Sequence, residues 1–255
     1  MRRQATRAWH AAPPHGGAGL AVYYGYGQLE RLAGFQTVVL QPGAYPEADL
    51  QALRERGVRV LAYLSLGEEV AGADAAWHLP GLDPTWGTRR VRANHPRWRA
   101  MVLAQVRALR HYDGYFLDTI DSWTPQEQGH MLALIAGVRR AAGRRYLLAN
   151  RGATLLPALG NLVNGVLIEA LSTTWEAGYR AHDRQGLEFT AALLERARAC
   201  GLDTWGLDYA EGADLQHFAQ RRAATLGVET FVSRRSLDVL PGLDHAEAAL
   251  ASTPS

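Results

Sequence analysis

The sequence predicts an α/β fold, a single (β/α)₈ TIM barrel with a long loop after its third strand. The chain has 255 residues, which is close to the usual length of such a barrel. Short apolar runs recur eight times along it, and helical patterns lie between many of them. The runs are nearly continuous rather than alternating, which is typical of parallel strands that are covered on both faces.

The eight predicted strands are bounded by polar residues or glycine. They span residues 21–26, 37–41, 59–65, 114–118, 146–150, 165–169, 204–208 and 229–233. Helical spacing of apolar residues predicts helices at 46–56, 96–109, 187–199 and 214–226, and another that begins near Thr124. The alternative is a doubly wound open sheet. No Gly-x-Gly-x-x-Gly motif follows the first strand, which weakens a dinucleotide-binding version of that fold.

The long loop lies between Ser65 and Pro96 and shows no helical pattern. Loops of this length without regular structure often close over a functional site. The sequence equally allows a loop that packs its own tryptophans, Trp77 and Trp86, on the rim of the barrel.

Composition and charge indicate an ordinary globular protein. Hydrophobic residues make up 47% of the chain and charged residues 20%, which are usual proportions. The formal net charge is +2, so nothing global indicates nucleic acid or an anionic membrane as a partner. Cys200 is the single cysteine, which excludes an internal disulfide. No apolar run is long enough to predict a transmembrane helix.

Residues 1–18 are expected to form a flexible N-terminal tail, and residues 19–255 the barrel domain. The tail is basic but lacks the apolar region of a secretory signal peptide, so the chain as given predicts no export signal. We expect a monomer. The compartment stays open at this point.

Three predicted strands end in an acidic residue. Strands four and six have the same form, with a glycine, three mostly apolar residues and then Asp118 or Glu169. Strand seven ends in Asp208. A buried carboxylate costs free energy unless function or hydrogen bonding compensates. Because the active sites of TIM barrels lie at the C-terminal ends of their strands, we expect these acids at a site there.

Asp118 and Glu169 are the predicted catalytic pair. They belong to next-but-one strands, whose ends lie roughly 9 to 10 Å apart at the backbone. Inward-pointing side chains can bring the carboxyl groups to about 5 to 5.5 Å, the separation found in retaining glycosidases, and a wider inverting pair stays open. Mutual repulsion would raise one of the two pKa values, as a general acid requires.

Aromatic and amide side chains are predicted to complete the site. Tyr24, Tyr63 and Trp123 are expected to line it, because aromatic faces can stack on the C–H faces of sugars. Asn150 ends the fifth strand and is expected to contact substrate. The other aromatic residues, Tyr209 among them, are interpreted as core or rim.

No metal or cofactor is predicted. The nine histidines include no His-Glu-x-x-His pair, and no Gly-x-Ser-x-Gly motif indicates a serine nucleophile. A magnesium site formed by Asp118, Glu169 and Asp208 is an alternative. It is weakened because the acids skip the fifth strand, which ends in Asn150.

With these motifs placed, the chain resembles the glycoside hydrolase 114 family, the endo-α-1,4-polygalactosaminidase group. The likeness covers most of the domain, and segment 112–121 is its most specific part, whereas segment 82–87 follows the family only loosely. The matching segments are 63–68 (Tyr-Leu-Ser-Leu-Gly-Glu), 112–121 (Tyr-Asp-Gly-Tyr-Phe-Leu-Asp-Thr-Ile-Asp), 150–152 (Asn-Arg-Gly) and 168–169 (Ile-Glu).

The resemblance implies a barrel that cleaves α-1,4-linked galactosamine polymers, with Asp118 as nucleophile and Glu169 as acid/base. It also implies that further carboxylates pair with the C2 ammonium groups of a partly deacetylated polymer. These carboxylates are Glu68, Asp121 and Asp208. Family members are usually exported, in contrast to the missing signal peptide.

Two other functions stay open on the sequence. One is a barrel that binds carbohydrate without catalysis, and the other is a magnesium-dependent lyase or isomerase. The expected partner is a polysaccharide or oligosaccharide. The presence of both Asp118 and Glu169 favours hydrolysis, because a binding protein could lose either.

Overall fold

The computed structural model describes residues 18–241 except 73, 122–123 and 125–126, and it confirms the predicted barrel. Eight parallel strands pair in the order of the chain, whereas a doubly wound sheet would reverse its order midway. The last strand packs against the first, so the sheet is nearly closed. The barrel strands are β1 (Ala18–Tyr23), β2 (Phe35–Leu40), β3 (Arg59–Ser65), β6 (Gly114–Asp118), β7 (Tyr146–Asn150), β8 (Gly165–Glu169), β11 (Asp203–Tyr209) and β12 (Thr230–Ser233).

The connections carry the remaining elements. The fifth connection holds a 3₁₀ helix (Ala158–Asn161), and α1 is only one turn long. The helices are α1 (Leu29–Leu32), α2 (Glu47–Glu55), α3 (Pro96–Ala108), α4 (Gln128–Ala142), α5 (Arg184–Ala199) and α6 (Ala213–Thr225). The short strands outside the barrel are β4 (Glu68–Val70), β5 (Thr88–Arg90), β9 (Thr173–Thr174) and β10 (Arg180–Ala181). None of the described helices is both long and apolar enough to cross a membrane.

For four strands, the predicted first and last residues agree with the structure: β3, β6, β7 and β8. The first strand begins three residues earlier than predicted, at Ala18, so Tyr24 lies just beyond its end. Glycine is a weak strand former, which hid this start from sequence reasoning. A Cβ at position 19 would lie 1.9 Å from a carboxylate oxygen of Glu229 and 2.6 Å from the ring of Trp205, so a larger residue there would force these side chains to shift. The predicted tail spans residues 1–18; Ala18 belongs to β1 instead, and residues 1–17 lie outside the described residues.

The described residues of the loop after β3 include regular structure. β4 and β5 form an antiparallel hairpin within it, and His78 bridges to Val91. Trp77 packs beside Trp98 of α3, while Trp86 stays 50% exposed and lines a cavity at the barrel mouth. Trp77 therefore packs on the barrel, as one interpretation of this loop expected, and Trp86 lies at a cavity, as the other expected.

Asp208 does not face the barrel mouth, so its prediction as a substrate-binding residue is wrong. Side chains alternate between the two faces along a strand. The neighbours Leu207 and Tyr209 both line the mouth cavity, whereas Asp208 lies between them and is 0% exposed. The seventh strand also runs one residue further than predicted, which makes Tyr209 its inward-facing end.

The Asp208 carboxylate stabilises the loop after β8 instead. Its Oδ1 accepts hydrogen bonds from the backbone N–H groups of Ser172 (2.5 Å) and Thr173 (2.8 Å), and its Oδ2 accepts from the Thr230 hydroxyl (2.8 Å). Burial raises the pKa of Asp208, and these donors lower it. Because Thr230 belongs to β12, one buried carboxylate joins this loop to two barrel strands.

Asp208→Ala is expected to lower the free energy of unfolding by about 3 kcal/mol or more, since each buried donor left without a partner costs about 1 to 3 kcal/mol. Denaturant unfolding measures this loss. Asp214→Ala, at an exposed position in the first turn of α6, is the matched control and should change stability by less than about 1 kcal/mol. An unchanged denaturation midpoint in Asp208→Ala would contradict the structural role.

Candidate active site

A cavity of about 530 Å³ lies at the carboxyl ends of the barrel strands, within the range of about 300 to 1,000 Å³ typical of small-molecule sites. The structure brings seven of the predicted site residues together on its wall. Trp123 lies outside the described residues, and Asp208 faces away. The seven are Tyr24, Tyr63, Glu68, Asp118, Asp121, Asn150 and Glu169.

Strand alternation aims the first catalytic candidate into this cavity. On β6, Phe116 and Asp118 line the cavity. Tyr115 points the other way and donates its hydroxyl hydrogen bond to the carbonyl of Val106 on α3 (2.6 Å). The register of β6 against β3 places Asp118 beside Ser65 at the mouth of the barrel.

One amide nitrogen joins the two catalytic candidates. Asn150 Nδ2 donates to Asp118 Oδ1 at 2.8 Å and to Glu169 Oε2 at 2.7 Å. Since both oxygens lie within these distances of the same atom, they are at most about 5.5 Å apart. A side-chain amide carries two N–H donors on one atom, so Asn150 holds both carboxylates through their facing oxygens.

Each carboxylate also accepts one tyrosine hydroxyl. Tyr63 donates to Asp118 Oδ2 at 2.8 Å, and Tyr209 donates to Glu169 Oε1 at 2.7 Å. Burial raises the pKa of both tyrosines, and the neighbouring carboxylate charges raise each further. Both hydroxyls therefore keep their protons and remain donors. Tyr24 packs edge-on against Tyr63, with ring centroids 5.4 Å apart.

The Asp118 carboxyl lies in an environment that opposes its ionisation. Burial raises the pKa of Asp118, and the charge of Glu169 raises it further, while hydrogen bonds from Asn150 and Tyr63 lower it. The net direction is upward. The pair thus takes up a proton more readily than an isolated aspartate would.

The chain turns sharply after each of the three central residues. Thr119, Arg151 and Ala170 directly follow Asp118, Asn150 and Glu169, and they have positive φ angles of 61°, 56° and 53°. A non-glycine residue in this left-handed region costs about 1 to 2 kcal/mol. Such backbone strain concentrates at functional sites, where the surrounding structure holds it.

Hydrogen bonds hold the turn after β6. The Thr119 hydroxyl lies 2.9 Å from the Ser65 hydroxyl and accepts from the Gly67 N–H at 2.8 Å. These contacts join the β6 turn to the start of the loop after β3. The strained conformation of Thr119 is therefore anchored on the neighbouring connection.

The other two predicted carboxylates also line the cavity. Glu68 accepts a hydrogen bond from the Thr88 hydroxyl across the β4–β5 hairpin (2.7 Å). Asp121 Oδ2 accepts from the Gly152 N–H (3.0 Å), while its buried Oδ1 has no partner among the described residues. Burial raises the pKa of Asp121.

Sequence reasoning missed Tyr209, at the end of β11, and three residues that loops supply. Tyr209 could have been found from strand alternation, had the seventh strand been extended by one residue. Trp86, Trp175 and Arg235 come from three separate loops, and no periodic signal marks them. The Arg235 guanidinium lies 4.4 Å from the ring centroid of Trp86 and 4.2 Å from that of Trp175.

No group of three or more His, Cys, Asp or Glu side chains is arranged to hold a metal within the part of the chain that the structure describes. The alternative magnesium site required Asp208 beside Asp118 and Glu169. Because Asp208 faces the opposite side of β11, those three carboxylates do not converge.

Comparison with known proteins identifies the family of this chain. The profile of glycoside-hydrolase family GH114 matches residues 1–249. An uncharacterised protein of Deinococcus radiodurans is 27% identical over 250 residues, which cover 85% of this chain and 80% of that protein.

Two solved structures share the fold. The glycoside hydrolase domain of PelA from Pseudomonas aeruginosa is 28% identical with a TM-score of 0.76, over 87% of this chain and 96% of that domain. Ega3 from Aspergillus fumigatus, solved in complex with galactosamine, has a TM-score of 0.70 at 13% identity, over 90% of this chain and 95% of its own. With a family profile that covers nearly the whole chain and a barrel of the same architecture, this protein belongs to glycoside hydrolase family 114.

Proposed function

We propose that this glycoside hydrolase cleaves an α-1,4-linked, galactosamine-rich polysaccharide with retention of configuration, through Asp118 and Glu169. The observation that carries the proposal is the shared hydrogen bonding of both carboxylates to Asn150 Nδ2. It keeps their facing oxygens within about 5.5 Å of each other, and separation governs which hydrolytic route a carboxylate pair can follow.

The separation favours the retaining route. Retaining pairs lie about 5 to 5.5 Å apart, and inverting pairs lie about 6.5 to 9.5 Å apart to leave room for a water molecule. The facing oxygens here are at most about 5.5 Å apart. A sugar placed between them would have its anomeric carbon within reach of one carboxylate and its glycosidic oxygen within reach of the other.

The two carboxylates then act in sequence. Asp118 attacks the anomeric carbon, and Glu169 donates a proton to the departing glycosidic oxygen as that bond breaks. Glu169 next removes a proton from water, whose oxygen displaces Asp118 and releases the sugar. The division of roles follows the resemblance to retaining barrels of this form. It requires Glu169 to carry the proton of the pair, and this proton removes the charge that raises the pKa of Asp118. The Tyr209 hydroxyl suits Glu169 as the acid, because a hydroxyl can donate to a carboxylate and accept from a carboxylic acid.

Charge around the cavity supports an amino sugar as the substrate. Six carboxylates and two arginines line it among the described residues. Arg151 donates to the backbone carbonyl of Glu169, and Arg235 lies over the rings of two tryptophans. The negative excess favours a cationic ligand, and free amino groups at C2 give a galactosamine polymer that charge. The six carboxylates are Glu68, Asp83, Asp118, Asp121, Glu169 and Glu176.

Incubation with α-1,4-galactosamine polymers should yield shorter oligomers, detected by mass spectrometry, and the activity should survive a metal chelator. Asp118→Asn and Glu169→Gln should each reduce turnover by about 1,000-fold or more, because each removes a group that acts in the transition state. Circular dichroism should show that both variants keep the fold.

The matched controls are Asp214→Asn and Glu188→Gln, which make the same chemical changes at exposed helix positions. They should retain native turnover. Absence of products from the native protein on several amino-sugar polymers would favour a binding role. Loss of activity with chelator would favour the magnesium-dependent alternative, and full activity in either catalytic variant would contradict the assignment.

The pH dependence of kcat/KM should change in Glu169→Gln. With an aryl galactosaminide, whose leaving group needs no proton, the acidic limb reports the ionisation of Asp118. The Glu169 charge raises the pKa of Asp118, so its removal lowers that pKa and keeps the nucleophile ionised to lower pH. We expect the acidic limb to move to lower pH.

Glu188→Gln should leave the limb in place, because that residue lies on the exposed face of α5. An acidic limb that stays at the native pH in Glu169→Gln would contradict the effect of the Glu169 charge on Asp118.

A further inference from the structure

We propose that a second cavity beside the catalytic one is an outer subsite, which binds amino-sugar units of the same polymer chain beyond those at the catalytic carboxylates. This inference rests on the proposed function and adds the path of the substrate across the surface. The cavity has a volume of about 520 Å³ and is lined by loops at the barrel mouth.

The two cavities share one wall. Trp86, Arg235 and Ser236 line both of them. A chain that leaves the catalytic cavity across this wall therefore enters the second cavity directly. An enzyme that cleaves within a polymer requires such a continuation, because the substrate extends beyond the cleaved bond.

The shared wall is already assembled. The Arg235 guanidinium lies over the rings of both Trp86 and Trp175 and donates to the Thr85 carbonyl at 2.9 Å. The backbone N–H of Arg235 donates to the Tyr179 hydroxyl at 3.0 Å. These contacts join three loops, and a binding surface formed in advance loses less entropy when it binds a ligand.

The chemistry of the second cavity suits an amino sugar. Trp86 is 50% exposed, and single exposed aromatic residues are common on protein surfaces. This one, however, lies between two adjoining cavities and shares the second with Tyr179. The carboxylate of Glu211 is exposed on the same cavity, where it can pair with a C2 ammonium group.

Two of the remaining charges on this cavity pair with each other. Arg234 forms an ion pair with Asp238 at 3.2 Å, and Asp238 also accepts from the Ser236 hydroxyl at 2.6 Å. Arg235 is stacked on the tryptophans. Glu211 is therefore the carboxylate placed to give this cavity a preference for a cationic sugar.

Binding to oligomers of two lengths tests the subsite. In an Asp118→Asn background, which blocks turnover, calorimetry should show tighter binding of a galactosamine oligomer of ten units than of a trimer. Adding Glu211→Lys or Trp86→Ala should reduce this advantage about tenfold, because only the longer oligomer reaches the second cavity. N-acetylation of the oligomer should remove most of the effect of Glu211→Lys.

Glu188→Lys and Phe189→Ala are the matched controls, since both positions are exposed on α5 and line neither cavity. They should leave the length advantage unchanged. An undiminished advantage in both Glu211→Lys and Trp86→Ala would overturn the subsite. Hydrolysis by the native protein is measured separately, so a protein that binds long oligomers through Glu211 but cleaves none would refute the proposed function alone.

Discussion

The amide nitrogen of Asn150 is the interaction on which the site depends. It lies at the end of β7, between the strands that carry Asp118 and Glu169, and from there it reaches both carboxylates. Asparagine suits this position because it offers two donors on one atom and carries no charge. A third carboxylate in its place would repel the other two. In the sequence, the lack of an acid at the end of the fifth strand weakened the prediction of a magnesium site. The structure gives the reason for that lack, because the uncharged Asn150 binds both carboxylates.

The same arrangement opposes the stability of the fold. Burial and the charge of Glu169 raise the pKa of Asp118, so the folded protein loses stability as pH rises from the usual pKa of an aspartate through the raised one. Hydrogen bonds from Asn150 and Tyr63 to Asp118 offset part of this loss. The left-handed residues after the strand ends add to the cost. The surrounding barrel holds the two close carboxylates and these left-handed residues in place, as is common at functional sites.

The fold and the central pair could be predicted from the sequence because local pattern determines them. Continuous apolar runs mark buried parallel strands, and an acid that ends such a run, as Asp118 and Glu169 do, lies at the barrel mouth. Asp208 shows the limit of this reasoning. The sequence predicts Asp208 as the inward-facing end of β11. The strand ends one residue later, at Tyr209, and neighbouring residues of a strand point to opposite faces, so Asp208 points away from the mouth. Asn150 was found as a site residue, but its contact with both acids required coordinates. Arg235 and its two tryptophans meet only through tertiary packing of loops, which leaves no periodic signal.

The anomeric configuration of the first product tests the role of the shared amide most directly. Proton NMR of the native protein cleaving an α-linked galactosamine oligomer can record the new reducing ends before they mutarotate. A pair held as closely as Asp118 and Glu169 should release the α-anomer first, through a covalent intermediate. Initial release of the β-anomer would show that a water molecule fits between the carboxylates during reaction, and would contradict the geometry that Asn150 imposes.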